Sequence, residues 1–417
     1  MKKNYLISSI IEETWPNAEK SFPIFLDPRF LRNAHVLKKK NYKKFIINDY
    51  VWHDRKKLER DYKYFCKLYE NSLIFLSKKL NETHKTNYSQ NFWRILIGPW
   101  LAIFIKKYLE SWRLIENVFK KNKIDKSFFL KLNDRLYTSY CDYQFNNFLQ
   151  TDIYQTFIDQ EIIKNFISKK KIIFKSFNIE KQKKALNINT MYSPKNFIET
   201  SKKLMFFLLS LYNKKKYNYF IYNTYLGFFN ELKLSLMFKQ LPITEINPEF
   251  NSQIKFDLQL RNQIFKSFSK KNNFEKTLSK LAIRLMPSIF LENFLDLEKY
   301  SKNSNLPKKP KVIFTSNGAW FNTKIMYQIA KLKENGSKLF YGQHGGTYAT
   351  SKILWAEKHE LKIADKFLSW GWKNNNKKII KFGLLKPLDI KKNISEIKKL
   401  LIILGKRMDR ASHLDSS

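Results

Sequence analysis

Val312-Ile313-Phe314-Thr315, the helix-patterned run from Thr323 to Leu332, and Lys338-Leu339-Phe340-Tyr341 form the stretch on which the fold turns. Two short apolar runs rich in β-branched and aromatic residues flank a segment with helical spacing. Strand, helix, strand at this separation predicts a parallel crossover unit, and hence an α/β protein.

Immediately after the second strand comes Gly342-Gln343-His344-Gly345-Gly346-Thr347. Open α/β sheets bind ligands where parallel strands end, so this loop is the first place to look for chemistry. Gly345 and Gly346 leave the backbone uncovered, allowing N–H groups to approach an anion, and His344 adds a group that exchanges protons near neutral pH. The plain alternative is a core histidine in an ordinary turn. A second cluster follows in Glu357, His359 and Glu360, with Asp365 beyond it. These side chains suffice for acid–base work or for orienting a ligand, or they are the charged face of a helix. The spacing contains no His-Glu-x-x-His and no thiolate pair, so neither a metal nor another cofactor is expected. Glycine is concentrated in this region: only Gly98 and Gly227 precede residue 311, out of ten in the chain.

Upstream, Tyr5–Ile11, Pro23–Leu26 and Phe45–Ile47 read as short strands. From Asp54, a suitable N-cap, Leu58, Tyr62, Phe65, Tyr69, Leu73, Leu76 and Leu80 mark one helical stripe. A second helix from about Ser89 to Lys107 should bend or break at Gly98-Pro99. The region 54–166 thus reads as a helical insertion. Further strands are expected at Lys171–Phe174 and Tyr217–Tyr222, and helices at Lys195–Tyr212, Phe228–Lys239 and Phe274–Leu297, the last broken at Pro287. The resulting division is one Rossmann-like domain over residues 1–383, carrying the insertion. Residues 384–417 would be a linker and the first strand, Leu400–Leu404, of a second Rossmann-like domain. A doubly wound domain cannot be made from one strand, so that domain is expected to be truncated and the chain weak or inactive alone.

Composition bounds the rest. Of 417 residues, 43% are hydrophobic and 16% aromatic, ample for a core. Two cysteines exclude a disulfide framework and fit a reducing cytoplasm. The longest apolar run, Ile95–Ile105, is shorter than the ~20 residues of a membrane-spanning helix. The net charge of +42 would suit nucleic acid or an anionic membrane. However, only eleven of the 78 basic residues are arginine, and lysine is spread everywhere, as an AT-rich genome would write it. No specific nucleic-acid motif accompanies the charge.

Gln343-His344-Gly345-Gly346, His359-Glu360, Ala364-Asp365, Ser369-Trp370-Gly371, Ile11-Glu12-Glu13-Thr14-Trp15-Pro16 and the Trp93–Leu101 run together resemble a family of transferases from surface-carbohydrate (lipopolysaccharide or capsule) gene clusters. The resemblance implies a GT-B-like architecture whose N-terminal Rossmann-like domain carries the acceptor. It also implies transfer of a glycosyl or glycerol-phosphate-like group from a nucleotide-activated donor to a carbohydrate or lipid-linked acceptor. His344 would be the base, with Glu357, His359 and Glu360 as further catalytic candidates. Glu12, Glu13, Gln343, Gly345, Gly346 and Asp365 would hold substrate. The protein would be cytoplasmic, with peripheral contact at the inner face of an anionic membrane. The competing readings are a basic nucleic-acid-binding protein, a noncatalytic acceptor-binding domain, and a nucleotide-sugar epimerase of the same architecture.

Overall fold

The structure is a computed structural model; it describes residues 2–28, 30, 37, 40–186, 208, 212, 214–243, 253–266, 268, 272–320 and 322–386. Most of the expected helix at 195–212 and the expected strand at 400–404 lie outside the described residues.

Among the described residues, ten strands form two parallel sheets. The first contains β1 (Lys3–Ile7), β2 (Ser21–Phe25), β3 (Ile46–Ile47), β4 (Lys126–Leu130) and β5 (Ile172–Lys175), in the order β3-β2-β1-β4-β5. The second contains β6 (Tyr219–Ile221), β7 (Val312–Thr315), β8 (Lys338–Gly342), β9 (Lys366–Ser369) and β10 (Ile379–Lys381), stacked in sequence order. The α/β expectation holds, and the crossover unit at 312–341 is the centre of the second sheet, with Ile313 opposite Leu339 and Thr315 opposite Tyr341.

Two expectations change. The stretch 54–166 is not wholly helical, because Lys126–Leu130 is a strand paired in parallel with both β1 and β5. In addition, residues up to 383 hold two sheets where one was expected. The expected truncation of a second domain rests on the strand at 400–404, which lies outside the described residues.

Helices α1 (Arg55–His84) and α2 (Gln90–Lys121) pack along one another between the sheets' strands in sequence. Asp54 caps α1, its carboxylate accepting from Lys56 N at 2.8 Å and Lys57 N at 3.2 Å. Helix α2 runs unbroken through Pro99 and is buried over most of its length. It tolerates the proline because tertiary packing, not propensity, dominates such a helix. Gly98 is needed for that packing: a Cβ there would lie 2.7 Å from Tyr69 Oη and 3.1 Å from His359 Cε1.

Helices α3 (Asp142–Leu149), α4 (Asp152–Ile163) and α5 (Ile179–Ala185) complete the first half. The long connection from β6 to β7 contributes α6 (Phe228–Met237), α7 (Leu258–Phe265), α8 (Asn273–Leu285) and α9 (Phe294–Asn303). The expected break at Pro287 is present, between α8 and a short 3-10 turn. Helices α10 (Thr323–Glu334) and α11 (Trp355–Ile363) connect β7 to β8 and β8 to β9. Both crossovers step the same way across the sheet, so right-handedness puts both helices on one face. That face is fully buried at Ile313, Leu339, Tyr341 and Phe367, and α10 packs against α2, joining the halves. The opposite face, bearing Val312, Phe314, Phe340 and Leu368, is only partly covered.

Candidate active site at the C-terminal edge of the second sheet

Parallel strands end on a common edge. In the second sheet the loops leaving β6, β7, β8 and β9 meet there around His344. The loop after β6 is forced into an unusual path: Asn223, Tyr225 and Gly227 have φ of 49°, 65° and 77°. Such left-handed residues are costly when not glycine and persist only where the surroundings fix them. Here Asn223 O accepts from Ser316 N at 3.0 Å, and Ser316 Oγ donates to Thr224 O at 2.9 Å. Tyr225 is thereby set beside the imidazole, their ring centroids 5.9 Å apart.

The His344 side chain is 20% exposed, and its Nδ1 lies 3.6 Å from Glu360 Oε1. Glu360 is fully buried on α11, where its Oε1 accepts from Trp320 Nε1 at 2.9 Å and its Oε2 from Tyr348 Oη at 2.8 Å. The Tyr348 hydroxyl also lies 3.3 and 3.4 Å from the two ring nitrogens of His344. Burial pushes the His344 pKa down to about 4, opposed by a hydrogen bond to the Ser316 backbone. Burial also drives Glu360 well above the ordinary carboxylate range, opposed by the two donors. At neutral pH the imidazole is therefore uncharged, with a nitrogen able to accept a proton. The neighbouring Glu360 carboxyl, 3.6 Å from Nδ1, orients the ring.

Beside the ring, the backbone N–H groups of residues 344–348 donate to no acceptor among the described residues. Gln343 shapes this loop. Its Oε1 accepts from Trp370 N at 2.9 Å and Trp372 Nε1 at 2.7 Å, while its Nε2 donates to Gly345 O at 2.7 Å. A row of free amides on a glycine-containing loop is suited to an anion. A Cβ at Gly346 would meet nothing within 4 Å, so open space lies beside the row.

The other sequence-derived candidates fall in different places. Glu357 braces the loop, accepting from Ala349 N at 2.8 Å, and Ala349 has a φ of 60°. His359 lies apart from the His344 cluster. Its ring is sealed against Trp355, at 4.7 Å between centroids, and Trp320, and neither nitrogen has a hydrogen-bond partner among the described residues. Burial pushes its pKa down to about 3, so it packs rather than exchanges protons with a ligand. Asp365 also lies apart, before β9 at the opposite edge of the sheet, where it accepts from Leu339 N at 2.7 Å and pairs with Lys333. Gln343 is spent on bracing rather than free for substrate. Glu12 and Glu13 lie in the turn after β1 of the first sheet, near Lys40 and Lys181 respectively, and no described contact joins them to the His344 cluster.

Sequence reading missed Tyr348, Trp320, Tyr225 and Ser316. Only Tyr348, four residues after His344, carried a local hint; the others arrive through sheet order.

Comparison with known proteins adds one finding. A model describing the LIC12162 family of transferases matches residues 4–417, nearly the whole chain. No curated protein and no solved structure matches it.

Proposed function

Taking as premise that the chain belongs to the LIC12162 family of transferases, we propose that it moves a glycosyl or glycerol-phosphate-like group from a nucleotide-activated donor to an acceptor hydroxyl, with His344 as base. The observation carrying this reading is the neutral imidazole, backed by buried Glu360, beside a row of unpaired backbone amides at a sheet's C-terminal edge.

In the proposed step, His344 accepts the acceptor's O–H proton as that oxygen attacks the electrophilic carbon or phosphorus. The bond to the nucleotide phosphate breaks, and its electron pair stays on the leaving phosphate oxygen. The amides of residues 344–348 stabilise that charge. Glu360, held by Tyr348 and Trp320, orients the ring. Glu12 and Glu13 are kept as acceptor contacts only if the substrate extends to the first sheet. Two parallel sheets of five strands support a GT-B-like arrangement, and the acceptors fitting this reading are the carbohydrates or lipid-linked carbohydrates of a bacterial-type surface polysaccharide assembled at the cytoplasmic membrane face. No helix among the described residues is long and apolar enough to cross a membrane.

The test is His344→Ala, assayed with a panel of nucleotide-activated sugars and glycerol donors. Turnover should fall ~10² to 10⁴-fold, the usual worth of a positioned base, while donor-induced thermal stabilisation persists. Unchanged turnover in the variant refutes the assignment.

A further inference from the structure

We propose that the open face of the second sheet is a binding groove for the hydrocarbon chain of an anionic lipid-linked acceptor, whose head group reaches the His344 loop. This rests on the transferase reading and narrows its acceptor to an amphiphile.

A cavity of about 510 Å³ runs across this face, floored by Tyr219, Ile221, Val312, Phe314, Phe340 and Leu368. Helix α6 forms one wall with Leu234, Met237 and Phe238, and Phe382 and Leu385 form the other. The volume is that of an ordinary ligand pocket, but such pockets usually contain several placed polar groups. Here only Asn230, Lys233 and the Tyr219 hydroxyl interrupt an apolar lining. A sugar or nucleotide would leave its hydroxyls unpaired in this groove, whereas a hydrocarbon chain would not.

The groove is continuous with the candidate active site. Leu226, at its upper end, directly follows Tyr225, which lies beside His344. Leu385 presses on Gly342, two residues before His344, so closely that a Cβ there would lie 2.3 Å from Leu385 Cδ1. A chain lying along the sheet would therefore deliver its head group to the edge where His344 stands.

The rim matches a lipid's chemistry. Phe229 is 81% exposed, Met237 71% and Phe382 61%, with Leu236 and Leu384 also exposed. Among them stand the exposed Lys233, Lys239, Lys381 and Lys386, while the one acid on α6, Glu231, is turned onto Thr224. Apolar side chains interspersed with lysines form the surface that partners an anionic amphiphile at a membrane interface.

The experiment titrates the full chain with n-alkyl phosphates from butyl to hexadecyl, each below its micelle concentration, with inorganic phosphate as the baseline. Affinity should rise roughly tenfold for every two methylenes until the groove is full, then level off. Val312→Trp, at the end of the groove far from His344, should move the plateau to shorter chains. Should that variant fail to fold, Leu234→Gln on the groove wall should weaken hexadecyl phosphate binding at least tenfold. A series independent of chain length overturns the proposal. So does a folded Val312→Trp with unaltered long-chain binding. His344→Ala should retain the chain-length dependence. Unchanged turnover in that variant, with the chain-length dependence retained, therefore counts against the transferase reading and not against the groove.

Discussion

The two sheets end in opposite ways. At the C-terminal edge of the first, the loops after β1, β2 and β3 are sealed by a buried polar network. Lys107 donates to Glu110 at 2.9 Å with both side chains below 5% exposure, and Tyr50 donates to the same carboxylate at 2.9 Å. Gln155 donates to Ser111 and to Asp159, and Thr156 donates to Ser9. At the matching edge of the second sheet the polar groups are arranged around a partly exposed imidazole, with amides left over. The same type of sheet edge serves in one case to fasten α2 and α4 onto strands and in the other leaves an imidazole partly exposed. A sheet edge is thus a place where chemistry can be built; whether it is built depends on what the crossing helices spend there.

The sharpest way to break this contrast is Glu110→Ala. If the first edge is a structural fastening, removing the carboxylate strands the buried Lys107 charge and should cost ~3 to 5 kcal/mol in urea unfolding. Residual folded protein should keep its turnover per molecule. A variant of normal stability with lost turnover would instead make Glu110 part of a second site. The group is already in a costly place: burial raises the Glu110 pKa, opposed chiefly by Lys107.

Much of the fold was legible in the sequence because it was written in local patterns. The period of α1, the Asp54 cap and the crossover at 312–341 each need only neighbouring residues. Strand β4, Lys126-Ser127-Phe128-Phe129-Leu130, was not legible: it is five residues long, lies between helices, and its central place between β1 and β5 is set by sheet order. The site divides in the same way. His344 stood out because a strand, a turn and a proton-exchanging group coincide. The roles of His359 and Glu360, adjacent in sequence, separate only when helix α11 turns one toward Gly98 and the other toward Tyr348. Tyr225 and Trp320 reach the site from other strands and gave no signal.

Histidine titration tests the contrast next. His84 and His344 have pKa values pushed down to about 4, and His359 to about 3, each chiefly by burial. Because the folded values are depressed below the unfolded ~6.5, the unfolded chain binds more protons below that pH. Stability is therefore full above about pH 6.5 and falls as the pH drops toward 4, each histidine contributing up to ~1.4 kcal/mol per pH unit. His359→Leu should remove one such contribution, seen as a shallower decline in unfolding free energy between pH 6 and about 4, with transfer rate at neutral pH preserved. For His344 the same depressed pKa predicts that kcat/KM holds through pH 6.5 and loses its base only near 4. An acid limb at 6.5 would mean that the ring is less enclosed than its contacts with Tyr225, Tyr341 and Tyr348 imply.

The smallest effect is expected at Glu13, which separates a surface charge from a substrate contact at the first sheet's edge. Its carboxylate is 43% exposed and lies 3.2 Å from Lys181, itself 61% exposed. Solvent screens such a pair, so Glu13→Gln should change stability by no more than ~1 kcal/mol. If the first edge is a fastening alone, KM for the acceptor should not move either. A rise in acceptor KM at unchanged kcat and unchanged stability would show that substrate extends from His344 across to the first sheet, since that pattern marks lost binding rather than lost chemistry. The sealed network behind β1 would then be the floor of an acceptor subsite.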